Sequence, residues 1–422
     1  MSTRMQNLLR DVEQFGARHY PLYPIVFSQG KGIWVKDADG REYIDACAGY
    51  SANNLGHGNP EIDGYIRELL TPGNDGWSLV NIVPNSTPTE PLAQFVQYAC
   101  HYLHFDKALA TNGGAEGVET AIKLMRKWGF AKRKGQVGPP VIIACDGNFH
   151  GRTTTIVSFS SNDGYRAPFG PLTPGFILIP YGDSKTLERA LRENTDVVGF
   201  LVEPIQGEGG VQIPPSGYLR ECYALCKKHN VIFCADEIQT GLGRAGSLLA
   251  CHHDGVVPDV VILGKSLGGG RIPTAAVFAK KEFMVFEPGE HGSTYGGNSL
   301  AMSIARRVLD IIARDKLCER SAEMGDFLLK KLKRGLLRGS AKTLVKDVRG
   351  RGLMLGIELV SEEDAGDVIN TLLAEGVMTK DAHRVIRITP PLIIEKEECT
   401  ELALRIIRAF RTYGKNKKAG TR

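Results

Sequence analysis

No stretch of this sequence is apolar for long enough to span a bilayer, so a transmembrane helix is not its organising element. A cysteine framework is missing as well. The nine cysteines are odd in number and scattered, and the one close pair, Cys222 and Cys226, sits at helical spacing. That usage predicts free thiols in a reducing compartment, not a disulfide-stapled secreted domain. There is little excess charge: the formal net charge is +5 over 422 residues. Basic residues do not alternate with aromatics, so no nucleic-acid surface is expected, and the terminal KNKK run reads as a frayed, solvated tail. The opening segment, MSTRMQNLLRDVEQF, has neither the apolar centre of a secretion signal nor the acid-poor bias of a transit peptide. A cytoplasmic location is the expectation. Internal repeats and low-complexity segments are absent too.

What the sequence does hold is a series of short apolar runs. GIWVKD and EYIDAC, with Asp39 and Gly40 between them, predict a hairpin near the N-terminus. Further on come VIIAC (141–145), FILIP (176–180), VGFLVE (198–203), VIFCAD (231–236), VVILG (260–264) and AAVFA (275–279). They do not alternate apolar with polar, which predicts strands buried on both faces. Helical segments such as SKTLERALREN and SGYLRECYALCKKHN lie between them, so the fold class is α/β with a mainly parallel sheet between helices. Past residue 300 a long helix, SLAMSIARRVLDIIARD, leads into a smaller α+β part with LMLGIEL and VIRIT as strands and ECTELALRIIRAF as a closing helix. The expected division is 1–55 as the N-terminal segment of a small domain, 56–300 as the large domain and 301–422 as the C-terminal part of the small one.

Three polar residues close apolar runs: Glu203, Asp236 and Lys265. Any one alone would be an ordinary ion-pair partner or strand end. Together, at the carboxyl ends of strands in an open α/β sheet, they point to one crevice and a charged cofactor. Lys265 stands in ILGKSLGGGRIP, between a buried strand and a glycine run. Partial desolvation there lowers an amine's pKa, and a neutral amine can form a Schiff base with an aldehyde. Asp236 would then pair with a pyridinium nitrogen and keep the ring an electron sink. A phosphate cradle is offered by Gly113 and Gly114, which precede a helix with apolar positions Val118, Ala121, Ile122, Met125 and Trp128. Taken alone, that motif is as readily a glycine-rich helix entry without a ligand.

Competing motifs fail on context. GLGRAG (241–246) matches a dinucleotide fingerprint, but DEIQT intervenes after the strand and a poor helix follows. LGKS (263–266) resembles the end of a phosphate-binding loop, yet Asp259 stands where that motif needs glycine. Cys251, His252 and His253 are adjacent and cannot easily close a tetrahedral metal site, so no metal is expected.

The ordered motifs NGGAEGVETAIKL, NFHGRT, VEPIQGEGG, ADEIQTGLGRAG, ILGKSLGGG, GEHGSTYGGN and IRITPPL span nearly the whole chain. In them the sequence resembles the class III, fold-type I pyridoxal-phosphate aminotransferases, and within these it is most similar to the ornithine aminotransferases. The resemblance implies pyridoxal 5'-phosphate bound at Lys265 as the Schiff-base lysine and proton shuttle, with Asp236 at the ring nitrogen. It implies phosphate on the backbone of Gly114 and Ala115, Phe149 and Ile238 on the two ring faces, and Gln239 at the ring hydroxyl. Thr294 would reach the phosphate of the neighbouring subunit, which implies a homodimer with sites at its interface.

For small-molecule substrates, an amino acid and an oxo acid, the resemblance implies Arg152 as a carboxylate fork and Arg387 as the group for the α-carboxylate of glutamate. Glu208 would mask Arg387 while the other donor is bound; on the residues alone, the two could equally form a static ion pair. Tyr50 and Tyr20 would face the α-amino end of L-ornithine, although either could be a packing aromatic. The implied reaction moves the δ-amino group of L-ornithine to 2-oxoglutarate, giving glutamate 5-semialdehyde and glutamate. N-acetylornithine, 4-aminobutyrate or another ω-amine is the alternative donor. Three features depart from the animal ornithine enzymes: His150 in place of tryptophan, Ala115 in place of a bulkier residue, and the segment PGNDGWSLVNIVPN.

Overall fold

The computed structural model describes residues 2–132 and 139–419. Near the N-terminus, β1 (Phe27–Lys31), β2 (Trp34–Asp37) and β3 (Glu42–Asp45) form an antiparallel set, with Gly40 at φ +85° in the turn between β2 and β3. The central sheet follows: β4 (Lys107–Thr111), β5 (Val141–Cys145), β6 (Phe176–Ile179), β7 (Val197–Val202), β8 (Ile232–Asp236), β9 (Val260–Leu263) and β10 (Ala275–Ala279). Its order is β4-β10-β9-β8-β7-β5-β6, parallel from β9 through β6, with β10 antiparallel to both neighbours. All six apolar runs are therefore strands of one sheet. β7 to β10 are buried along their whole length because helices lie on both faces. Each buried phenylalanine among them (Phe200, Phe233, Phe278) contributes on the order of 2–3 kcal/mol by leaving water.

The helix Gly114–Lys132 packs on β7, β9 and β10. Its approach to β7 is close enough that a Cβ at Gly129 would lie 2.1 Å from Val198 Cγ1. On the far side of the chain, β11 (Val345–Arg351), β12 (Met354–Leu359), β14 (Lys380–Ala382) and β15 (Val385–Ile388) make a third, antiparallel sheet in the order β11-β12-β15-β14, while β13 (Val377–Met378) pairs parallel with β3. The N-terminal strands thus complete a sheet with a C-terminal one.

Two sequence expectations meet the structure differently. The KNKK run is not a frayed tail: the helix Lys396–Lys418 runs through it, and Lys417 Nζ holds both carboxylate oxygens of the mostly buried Asp364, at 2.6 and 2.7 Å. That pair ties the run down at the helix C-terminus, where cations are favoured. GLGRAG, in contrast, forms no strand–turn–helix unit, as its context predicted. Its Arg244 is wholly buried and donates to the carbonyls of Leu353 (2.8 Å) and Pro390 (2.6 Å) and to Asn54 Oδ1. Burial lowers its pKa to about 9, yet the guanidinium stays in place as a tie between three distant segments. No helix among the described residues is long and apolar enough to cross a membrane, and these residues hold no metal-binding cluster of His, Cys, Asp or Glu.

Candidate active site

Parallel strands end on the same edge, so the residues that follow β7, β8 and β9 converge. Glu203 comes directly after β7, Asp236 is the last residue of β8, and Lys265 lies two residues past β9. All three line a cavity of about 180 Å³ together with Gly114, Ala115, Phe149, Ile238 and Gln239. Every cofactor-binding residue expected from the sequence except Thr294 is therefore in one place. Thr294 lies in another cleft, against residues 81–89.

Lys265 is held at φ +46°, a left-handed conformation that strains a residue with a Cβ. Burial lowers its pKa, against the opposing charges of Asp236, Glu208 and Glu203. That environment favours the neutral, nucleophilic amine. Asp236 is fixed on both oxygens: Oδ1 accepts from the Ile238 N–H at 3.1 Å, and Oδ2 from His150 Nδ1 at 2.7 Å. His150 is wholly buried. Burial pushes its pKa down, but the hydrogen bond and charge of Asp236, with that of Glu203, outweigh this and leave it raised. Its other nitrogen, Nε2, has no partner among the described residues. Glu203 accepts from the Phe149 N–H at 2.8 Å and the Gly207 N–H at 3.3 Å, and desolvation raises its pKa to about 7.

These features fit pyridoxal phosphate. Asp236 is an oriented carboxylate for a ring nitrogen, and Lys265 an amine of lowered pKa for an aldehyde carbon. The helix Gly114–Lys132 turns its N-terminus to the cavity, as an anion requires. The backbone there is closely approached: a Cβ at Gly114 would lie 3.0 Å from Ile238 Cδ1, so a side chain would push into the space that a ring would share with Ile238. Phe149 and Ile238 are the flat and aliphatic surfaces available to ring faces.

Arg387, on β15, is almost fully buried and paired with Glu208. The Tyr50 ring lies over Arg387, with its centroid 5.1 Å from Cζ. Arg152 is exposed, and its guanidinium stacks on Tyr165 at 4.0 Å and on Phe149 at 5.5 Å. Tyr20 does not join this group: it is 55% exposed, with its ring against that of His19. Sequence reasoning gave His150 and Tyr165 no role. His150 directly follows Phe149 in NFHGR, but its partner Asp236 is 86 residues away, so only the fold pairs them.

The family model for class-III aminotransferases matches residues 15–410. The chain is 44% identical to an ornithine aminotransferase of Halalkalibacterium halodurans, over 94% of this chain and 96% of that one. It superposes with a TM-score of 0.92 on an ornithine aminotransferase of Toxoplasma gondii, a structure with pyridoxal phosphate at partial occupancy in its active site; identity is 37%, with 98% of this chain and 96% of that one covered. An acetylornithine aminotransferase of Elizabethkingia anophelis gives 0.86 at 39% identity, covering 97% and 100%. With a match across most of its length and Lys265, Asp236 and a helix N-terminus around one cavity, the chain belongs to the class-III aminotransferases.

Proposed function

We propose that this enzyme uses pyridoxal 5'-phosphate to transfer the δ-amino group of L-ornithine to 2-oxoglutarate, giving glutamate 5-semialdehyde and glutamate. The observation that carries the reading is the Tyr50 ring against Arg387, which is itself paired with Glu208 and close enough to Lys265 for both charges to act on that amine. When bound, the cofactor supplies an electron sink for the donor carbon. The protein does the rest. Asp236, oriented by His150, holds a proton on the ring nitrogen. Lys265, a buried amine of lowered pKa, would take the proton from the donor's δ-carbon on Nζ and hold it for return. Gly114 and Ala115 would hold the phosphate, Phe149 and Ile238 would flank the ring and Gln239 would meet its hydroxyl, all of them lining one cavity.

Arg152 receives a substrate carboxylate, and its stacking on Tyr165 leaves the fork of donors free for one. Glu208 neutralises Arg387 while ornithine occupies the site and releases it for the α-carboxylate of glutamate. Without that masking, an unpaired buried guanidinium would oppose the first substrate. Thr294, which lies outside the cavity, fits a homodimer in which Thr294 of each subunit reaches the phosphate held by the other. The small-domain segments 1–55 and 301–422 then flank the large domain, 56–300, and the pairing of β3 with β13 supports this division. Nine free cysteines support a reducing, cytoplasmic setting.

The likeness to an acetylornithine aminotransferase keeps a second donor in view. The test is stopped-flow absorbance of the pyridoxal-phosphate-loaded enzyme mixed separately with L-ornithine, N-acetyl-L-ornithine and 4-aminobutyrate. Ornithine is expected to bleach the visible band fastest, and 2-oxoglutarate to restore it. Faster bleaching by N-acetyl-L-ornithine would move the assignment to that donor. Lys265→Ala is expected to lose the band of the wild type and almost all turnover; normal turnover would sink the catalytic assignment.

A further inference from the structure

The turn that carries Tyr50 is left-handed along its whole length. Ala48, Gly49, Tyr50 and Ser51 have φ of +46°, +56°, +58° and +71°. Residues with a Cβ visit this region singly, not in runs, so only Gly49 is at ease and something must hold the other three.

The holding groups are visible. Asp45 is buried; its Oδ1 accepts from the N–H groups of Cys47 (2.9 Å) and Ala48 (2.7 Å), and its Oδ2 from His57 Nε2 (2.8 Å). On the other side the Thr389 hydroxyl donates to the Cys47 carbonyl at 2.9 Å, and the Thr389 N–H to the Ala46 carbonyl at 2.7 Å. Thr389 stands two residues beyond Arg387. One end of the turn is thus fixed by Asp45 and His57, and it is tied to the segment that carries Arg387. The outcome is the 5.1 Å placement of Tyr50 over Arg387.

We propose that Asp45, His57 and Thr389 are positioning residues for substrate choice. They hold a strained turn in the one geometry that lays Tyr50 against Arg387 and so against the α-amino end of the donor. Released, the turn relaxes toward right-handed backbone and carries Tyr50 away. The proposal rests on the ornithine reading above. It predicts a selective loss: a donor with an α-amino group suffers, and 4-aminobutyrate, which has none, suffers less.

The test measures kcat and KM of the holoenzyme for L-ornithine and 4-aminobutyrate in wild type, His57→Gln, Thr389→Val, Tyr50→Phe and the two doubles with Tyr50→Phe. The His57 side chain is partly exposed and valine matches threonine in volume, so both single variants are expected to fold, with melting temperatures read alongside. The expected result is a fall of about tenfold in the ornithine to 4-aminobutyrate ratio of kcat/KM in each, carried by KM for ornithine. In the Tyr50→Phe background the same changes should shift the ratio by less than about twofold, because they act through Tyr50. An unchanged ratio, an equal fall for both donors, or effects that multiply with Tyr50→Phe would each overturn the proposal and leave the ornithine reading standing. A wild-type enzyme that does not prefer ornithine would overturn the reading itself, and the proposal with it.

Discussion

Around Lys265 two acids and an imidazole line one small cavity, and all three are buried: Glu203, Asp236 and His150. Burial penalises a charge there. Asp236 and His150 face each other as a hydrogen-bonded pair, whereas Glu203 accepts from the backbone N–H groups of Phe149 and Gly207. Its pKa rises from 4.5 to about 7 in the fold. Between those values the native protein keeps a proton that the unfolded chain gives up. Stability must therefore fall as pH rises through that window, by an amount on the order of 2–3 kcal/mol. Glu203→Gln keeps a neutral group of the same shape and removes the titration. Compared at pH 5 and pH 8, the wild type should lose more thermal stability than the variant; equal losses would show that Glu203 titrates normally. Lys265, Asp236 and Glu203 were legible in the sequence because each ends an apolar run. His150 was not, because neither its neighbours nor any periodicity marks a partner that the sheet alone brings near.

At the scale of elements, close packing overrides propensity. Gly325 sits inside the helix Leu317–Leu336, where alanine would ordinarily gain about 1 kcal/mol. A Cβ there would lie 2.0 Å from the Gly352 carbonyl oxygen, and Gly352 itself, at φ +53°, is wedged against Gly246. Backbone on both sides cannot step aside as a flexible side chain could. Gly325→Ala should therefore destabilise by about 2 kcal/mol or more, read as a lower urea midpoint at constant m-value. A midpoint at or above wild type would mean that the helix slides at little cost. The strands show the opposite balance: six apolar runs were enough to find β5 to β10. β4, with the sequence KALAT and an exposed first residue, carried too weak a pattern, and β13 and β14, of two and three residues, carried none. The left-handed turn at 48–51 was illegible for a physical reason: one glycine among Ala, Tyr and Ser does not announce four positive φ angles, and the turn's entrance is bonded to Asp45 and to Thr389, a residue more than three hundred positions away.

For the whole molecule, the surface is the clearest argument for a partner. Single exposed apolar side chains need no explanation. Here Val12 and Phe15 project from the N-terminal helix, Leu70, Trp77, Val80 and Ile82 from one segment, and Tyr295 from the loop beside Thr294. Trp77 and Phe15 are each 79% exposed. Tyr295 and Ile82 lie beside Thr294, a residue expected to serve a neighbouring site, and with the other exposed apolar side chains they fit a self-complementary interface between two copies of the chain. Sedimentation equilibrium at micromolar concentration should then give about twice the 46.0 kDa chain mass. Trp77→Asp places a charge where an aromatic anchor is expected to be buried, so it should weaken association by roughly tenfold to a hundredfold. Because Thr294 is expected to complete the other subunit's phosphate site, turnover should fall as the variant is diluted and recover as it is concentrated. A wild type that sediments as one chain with full, concentration-independent activity would place the complete site within a single chain and remove the role given to Thr294.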